Sequence, residues 1–342
     1  MTDYWISGYD TTTTTAQDLV EDFLDNRADR LVVNYSFEWQ PYPNFDALYD
    51  LCVHQGITLV IIMGSTEQLR LFLEERYPKA EIIFWPSYWI FFAFCCQRSQ
   101  EFLLSQRPRT NGEATYRFLC MGGQPHLHRC IIIDEMWRRG LQHKGKIGWP
   151  AGGSIHKTRV NPLPDGWEFK HFPNHQMLLD DNWTLGSRSA FKLPPELDLA
   201  SLNVITESQG TRIFVTEKTV TSSLRKKPWI MIGGPGQNQL MRDMGFAMLD
   251  QLIDYTYDLD ADLVTRCNLF IDQVESWIDR PDWSTIEQSS YIKDIVAHNH
   301  DQVYRVIQER IMFPQIVHDL LDSETFTSSE SKFISVINSI KL

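Results

Sequence analysis

The sequence predicts an α/β protein made of two Rossmann-like domains followed by C-terminal helices. Two observations carry the class. Short runs rich in Val, Ile and Leu alternate with amphipathic segments along the N-terminal third, and the rhythm restarts after a polar stretch, RPRTNGEA (107–114). A third observation, helical periodicity from Leu263 onward, adds the terminal helices. The expected division is therefore 1–110, 111–262 and 263–342.

The elements follow in order. WISGYD (5–10) reads as a strand, and AQDLVEDFLD (16–25) as an amphipathic helix capped by Thr15. RLVVNYSFE (30–38) is a second strand, and FDALYDLCVHQ is a helix that Asn44 caps and Gly56 closes. ITLVIIMG (57–64) is a buried strand, Ser65 caps a helix to about Arg76, and EIIFWP (81–86) is a fourth strand. An aromatic segment, YWIFFAFCC (88–96), leads into a helix toward Gln106. That segment is about half of the roughly 20 residues a spanning helix needs, so it reads as buried and no membrane span is expected. No G-x-G-x-x-G follows any of these strands, which gives no reason to place a dinucleotide here.

In the second half TYRFLCMGG (115–123) reads as a strand and turn, and HLHRCIIIDEMWRRGL (126–141) as a helix ended by Gly140. KIGW (146–149) is the next strand. The stretch 150–200, rich in Pro, Gly, His and Trp, reads as loops and short helices and is a candidate acceptor-facing insertion. Residues 202–206 form a strand and a helix opens near Thr216. Trp229–Ile232 is a buried strand, followed by a Gly-Gly-Pro-Gly turn, a helix at Gln237–Met244 and one more short strand. LIDYTYDLDADL is turn-like. Helices are expected at 263–279, from Thr285 to about His298, and on to about Leu321, with a weakly held tail from Ser323.

The chain has 342 residues and a net charge of −12, so its surface as a whole repels nucleic acid and anionic membranes. A phosphate-bearing ligand therefore needs a local positive site. The acid-free window 138–159, with Arg138, Arg139, Lys144, Lys146, Lys157 and Arg159, is one candidate. The 6 cysteines show no C-x-x-C spacing and read as core thiols of a reducing compartment, and Met1–Asp10 lacks the features of a signal peptide. The expected location is cytoplasmic.

In a parallel sheet, ligands bind beyond the strand C-termini, where helix starts and glycine turns present N–H groups. Glu207 follows the 202–206 strand, Glu217 and Lys218 open the next helix, and Gly233, Gly234 and Gly236 follow the strand after it. That set suits a nucleoside diphosphate. The bland alternatives are a surface Glu–Lys pair and a turn that needs glycine for its backbone angles alone.

The same residues resemble a known family. ITES (205–208), FVTEK (214–218) and PWIMIGG (228–234) are similar in order and gaps to the donor motif of the α1,3/4-fucosyltransferases, which runs F-E-N-S, Y-V-T-E-K, then P-hydrophobic-V and glycine. The resemblance implies a GT-B type glycosyltransferase of two facing Rossmann-like domains, with the 263–342 helices packing back across the cleft, that works without a bound metal or cofactor, takes a nucleoside-diphosphate sugar as co-substrate and inverts the anomeric centre. It implies that Lys218 contacts the donor phosphates, that Glu217 bonds the ribose hydroxyls, and that Arg129, early in its helix, is a second phosphate contact. Glu207 and Ser208 stand near the family's E-N-S residues with looser roles. The turn C-M-G-G-Q-P (120–125) departs from the family's S-N-C-like turn. The family takes its catalytic base from the N-terminal domain, where Asp10 and Glu38 are the candidates at strand ends.

Two other constellations invite a metal reading. Asp258, Asp260 and Asp262 read as a solvated turn or helix start, and the H-x-H pairs His126/His128 and His298/His300 do not share a helix face. No metal is expected. The partners expected are a nucleotide-sugar donor and a carbohydrate acceptor. Two alternatives stay open: a phage-type enzyme glycosylating a modified DNA base, and a non-catalytic sugar-nucleotide-binding module.

Overall fold

The computed structural model describes residues 3–7, 14–34, 45–64, 67–86, 89–90, 93, 114–122, 125–149, 169–171, 196–322 and 327–328. The chain forms two units, Met1–Phe94 with Glu309–Leu342, and Cys95–Gln308. Both are α/β with parallel sheets.

The first unit opens with β1 (Asp3–Ser7), α1 (Ala16–Asp25), β2 (Arg30–Asn34), α2 (Phe45–Gln55), β3 (Thr58–Met63), α3 (Glu67–Arg76) and β4 (Glu81–Phe84). The strands lie in the order β4-β3-β2-β1, with Trp5 opposite Val32 and Val32 opposite Val60. Because side chains alternate along a strand, Tyr4, Ile6, Leu31, Val33, Leu59 and Ile61 share one face. They pack there with Leu19, Val20 and Phe23 of α1 and with Leu48 and Cys52 of α2. Trp5, Val32, Val60 and Ile62 on the opposite face are equally buried. Burial on both faces explains why these strands read as continuous apolar runs. The local signals hold as well. Thr15 Oγ1 accepts the Asp18 N–H at 3.1 Å to start α1, and Gly56 closes α2 in the left-handed region at φ +70°. The caps expected at Asn44 and Ser65, and the helix toward Gln106, lie outside the described residues.

The second unit contains β5 (Leu119–Met121), α4 (Leu127–Arg138), β6 (Lys146–Gly148), α5 (Glu196–Leu199), β7 (Asn203–Thr206), α6 (Glu217–Leu224), β8 (Trp229–Ile232) and α7 (Gln237–Asp243). A 3-10 turn at Tyr255–Leu259 leads to α8 (Leu263–Ile278), α9 (Trp283–Glu287) and α10 (Ser290–Gln308). The strand order is β6-β5-β7-β8, all parallel. α8 packs on α4 and α10 on α6, so the helices of 263–308 belong to this unit instead of forming a separate part.

Three expectations are corrected. No strand forms at 245–249; the Asn299 side chain of α10 instead takes both backbone groups of Ala247, accepting its N–H at 2.8 Å and donating to its carbonyl at 2.9 Å. An amide side chain thus does what a neighbouring strand would have done. The helical breaks fall at 288–289 and 309–314, not near His298. Ser289 Oγ accepts the Ile292 N–H at 3.4 Å to open α10, and left-handed Arg310 and Met312 end the helical run before Pro314. Finally, the tail is not wholly loose. After α11 (Gln315–Asp322), Thr327–Ser328 form β9, which pairs in parallel with Tyr4–Trp5 of β1 and extends the first unit's sheet to five strands. Among the described residues no helix is long and apolar enough to cross a membrane.

Candidate functional site

The C-terminal end of β7 collects the residues that the sequence singled out. Glu207, the first residue beyond β7, is fully buried. Its Oε1 accepts the Thr216 N–H at 3.1 Å and its Oε2 accepts the Thr216 hydroxyl at 2.5 Å. The loop 208–215 is thereby closed into a tight excursion that returns to open α6. Lys218 Nζ donates to Thr216 Oγ1 at 2.8 Å and to Glu217 Oε1 at 3.4 Å, and lies 3.7 Å from Glu207 Oε2. The lysine side chain is 15% exposed and that of Glu217 is 27% exposed, so both reach the surface while Glu207 does not.

From α4 two side chains buttress the same strand end. Arg129 is buried and donates from Nε and Nη2 to the Thr206 carbonyl at 3.2 and 2.8 Å. His128 Nε2–H donates to the Glu207 carbonyl at 2.7 Å. Burial, and then the neighbouring Arg129 charge, holds the His128 imidazole well below its ordinary pKa, so it is neutral. Burial raises the Glu207 carboxyl against the opposing pull of Lys218 and Thr216. Burial also acts to raise Glu217, but Lys218, its own backbone N–H and Arg129 outweigh it and hold this carboxylate below the usual range. The corner thus sets two cations, Arg129 and Lys218, against two carboxylates, Glu207 and Glu217, at a helix start.

The glycine turn after β8 is closely enclosed by the chain itself. A Cβ on Gly234 would stand 2.0 Å from the Arg212 backbone carbon, and one on Gly233 would stand 1.9 Å from Gln237 Oε1. The close approach that requires these glycines is that of the chain itself. The Gly234 N–H goes to the Arg212 carbonyl at 3.1 Å and to Gln237 Oε1 at 3.2 Å, and the N–H of Gly236, at φ +83°, goes to the Asp258 carbonyl at 2.9 Å. The start of α7 is likewise occupied. Asp258, buried instead of solvated as expected, accepts the Asn238 N–H at 2.9 Å and Asn238 Nδ2 at 2.9 Å. Its carboxylate stands where a phosphate would bind.

Other expected residues are dispersed. Asp260 and Asp262 serve locally, Asp262 accepting the Thr265 N–H at 2.7 Å to cap α8. His298 bonds the Gly245 carbonyl at 2.8 Å and His300 pairs with Asp301. Among the described residues no group of three or more His, Cys, Asp and Glu could hold a metal. In the basic window, Arg138 pairs with Glu135, Arg139 with Glu135, Asp272 and Glu275, and Lys144 with Asp279. Lys146 stands over the Tyr116 ring at 5.1 Å. These cations are largely spent on the carboxylates of α4 and α8, while Lys157 and Arg159 lie outside the described residues. Cys120, Cys130 and Cys267 are buried, their thiols pushed up to about 12 by burial. Asp10 and Glu38, the candidate bases, lie outside the described residues. Ser208 is half-buried beside Glu207. A depression of about 640 Å³ lies elsewhere on the unit, walled by Arg242, Asp254, Tyr255 and Gln273, and none of residues 207–218 lines it.

Sequence reasoning missed two residues here. Thr216 stands at the N-cap of α6, but its hydroxyl turns back to Glu207 and caps nothing. Arg266, buried on α8, donates to the carbonyls of Gly210 and Asp260 and pins the 208–215 loop. No protein-family model matches the sequence, and no curated protein matches it.

Proposed function

We propose that the chain is a glycosyltransferase, fucosyltransferase-like and of the GT-B type, whose Cys95–Gln308 unit holds a nucleoside-diphosphate sugar at the start of α6. The observation that supports this reading is the Thr216–Glu217–Lys218 corner: an ammonium and a carboxylate, both reaching the surface, at the N-terminus of an eight-residue helix beyond a parallel strand. An ammonium beside a helix start attracts a phosphate. A carboxylate held below the usual pKa range is ionised and accepts hydrogen bonds from the vicinal hydroxyls of a ribose. As the glycosidic bond breaks, charge grows on the departing nucleoside diphosphate, and a cation fixed in advance stabilises that change more than it stabilises the ground state.

On this reading Lys218 contacts the phosphates directly and Arg129 supports them from behind β7. The α7 start takes no part, since Asp258 holds it. Asp10 or Glu38, which follow β1 and β2 in the sequence, serve as the base that removes the acceptor hydroxyl's proton, and the reaction inverts the anomeric centre without a metal. A carbohydrate acceptor is favoured over nucleic acid by the net charge of −12 and by the pairing of Arg138, Arg139 and Lys144 with carboxylates.

Titration with GDP- and UDP-sugars tests the proposal. Saturable binding that is lost in Lys218→Ala is expected. Failure of every donor to bind, or binding indifferent to that substitution, would overturn it. Binding without transfer or hydrolysis would reassign the protein as a sugar-nucleotide-binding module.

A further inference from the structure

We propose that Glu207 acts as a positioning residue for Lys218, through the hydroxyl of Thr216, and makes no contact with the ligand itself. This rests on the reading that Lys218 faces a phosphate. Glu207 is fully buried, so no ligand oxygen reaches its carboxylate. Both of its oxygens accept from Thr216, Oε1 from the N–H and Oε2 from the hydroxyl, while Oε2 stands 3.7 Å from Lys218 Nζ, beyond hydrogen-bond distance.

The direction of the second bond matters. A hydroxyl carries one proton and two lone pairs. A carboxylate only accepts, so Glu207 takes that proton and leaves the Thr216 lone pairs turned toward Lys218. The ammonium fills one of them at 2.8 Å and reaches Glu217 Oε1 at 3.4 Å. Two of its three N–H bonds are thereby aimed at the protein, and the third is left for a ligand oxygen. A charge placed by a relay of buried, charge-assisted hydrogen bonds needs little reorganisation when a phosphate arrives.

The relay is anchored at both ends. The carbonyls of Thr206 and Glu207 are fixed by Arg129 and His128, and Thr219 Oγ1 holds the Thr216 carbonyl at 3.2 Å. The Glu207 side chain therefore projects from a backbone held at two successive carbonyls, onto a helix start held at a third.

The test compares Glu207→Gln, Thr216→Val and Thr216→Ser in the full chain, with thermal melting to monitor the fold. Acylation of Lys218 by an amine-reactive acetyl ester, followed by peptide mass spectrometry, reads how firmly the ammonium is held. We expect several-fold faster acylation in Glu207→Gln and Thr216→Val and an unchanged rate in Thr216→Ser, with exposed Lys226 as the internal control. GDP and UDP binding should weaken about tenfold in Thr216→Val, following Lys218→Ala, and recover in Thr216→Ser. Unchanged Lys218 reactivity in a folded Thr216→Val would overturn the relay, and this variant decides the matter if Glu207→Gln does not fold. Faster acylation with unaltered nucleotide binding would also overturn it, leaving Glu207 a purely structural residue. If the unsubstituted protein binds neither nucleotide, the proposed function fails while the acylation series still reports on the relay.

Discussion

The Asp258 carboxylate accepts the backbone N–H of Asn238 at 2.9 Å, so the positive end of α7 is neutralised by an anion from the chain's own downstream turn. The same carboxylate takes Asn238 Nδ2 and, at 3.4 Å, the Gln239 N–H. Asp258→Ala leaves these buried donors without an acceptor and should cost about 2–3 kcal/mol. Urea unfolding measures it. A loss below about 0.5 kcal/mol would show that solvent replaces the carboxylate.

The glycines differ in what surrounds them, and substitution by alanine should rank them. Gly56 has φ +70° with open space around a new Cβ, so it should cost only the left-handed strain of about 1–2 kcal/mol. At Gly234 a Cβ would stand 2.0 Å from the Arg212 backbone, which has no flexible end to move aside. Its cost should be about 3 kcal/mol or more. Melting temperatures in the reverse order would show that the 208–215 loop gives way freely.

The two carboxylates of the corner should respond to pH in opposite senses. Glu207 has a raised pKa in the folded protein. Its contribution is therefore fully present below the unfolded-state pKa and is lost as pH rises through the folded value. Glu217 is lowered, so its contribution is present above the unfolded pKa and lost as pH falls through the folded value. Relative to wild type, Glu207→Gln should then be at its greatest disadvantage near pH 4 and gain as pH rises, whereas Glu217→Gln should be worst near neutral pH. Denaturant midpoints between pH 4 and 8 check this, and parallel curves for the two variants would contradict it.

Burial should separate two ion pairs of equal length. Arg225–Asp198 and Arg242–Asp250 both measure 2.6 Å, but the first is 1% and 5% exposed and the second 31% and 59%. Asp198→Ala removes the paired anion from a buried guanidinium and should cost about 3–5 kcal/mol. Asp250→Ala should cost less than about 1 kcal/mol. Equal losses would mean that Arg225 finds another acceptor once Asp198 is gone.

Much of the architecture was legible because its signals are local. Short apolar runs rich in β-branched residues, such as Thr58–Met63, read as strands buried on both faces, and Thr15 and Gly56 mark helix ends by their own chemistry. The Glu207, Glu217 and Lys218 corner was legible as a set, since strand ends and helix starts follow from the same reading. The division of labour within it was not, because whether Glu207 faces a ligand or Thr216 depends on how the intervening loop closes. The surroundings of the glycine turn were hidden for a related reason. A sequence shows that glycine is needed without showing what comes close, and here Arg212 and Gln237 do. Partners brought from afar, such as Asn299 on Ala247 and Arg266 on Gly210, leave no local pattern at all.

The pairing of Thr327–Ser328 with Tyr4–Trp5 has a consequence for how the protein is made. β1 precedes the Cys95–Gln308 unit in the chain, and its outer neighbour β9 follows that unit. Throughout translation of the Cys95–Gln308 unit, that side of β1 stands without β9, and an open parallel edge is a template for pairing with other chains. A nascent or truncated chain ending before Glu309 therefore carries the first unit's β1–β4 sheet with one border unsealed. The short strand β9 acts as a late seal on a sheet whose other four strands are made before that unit.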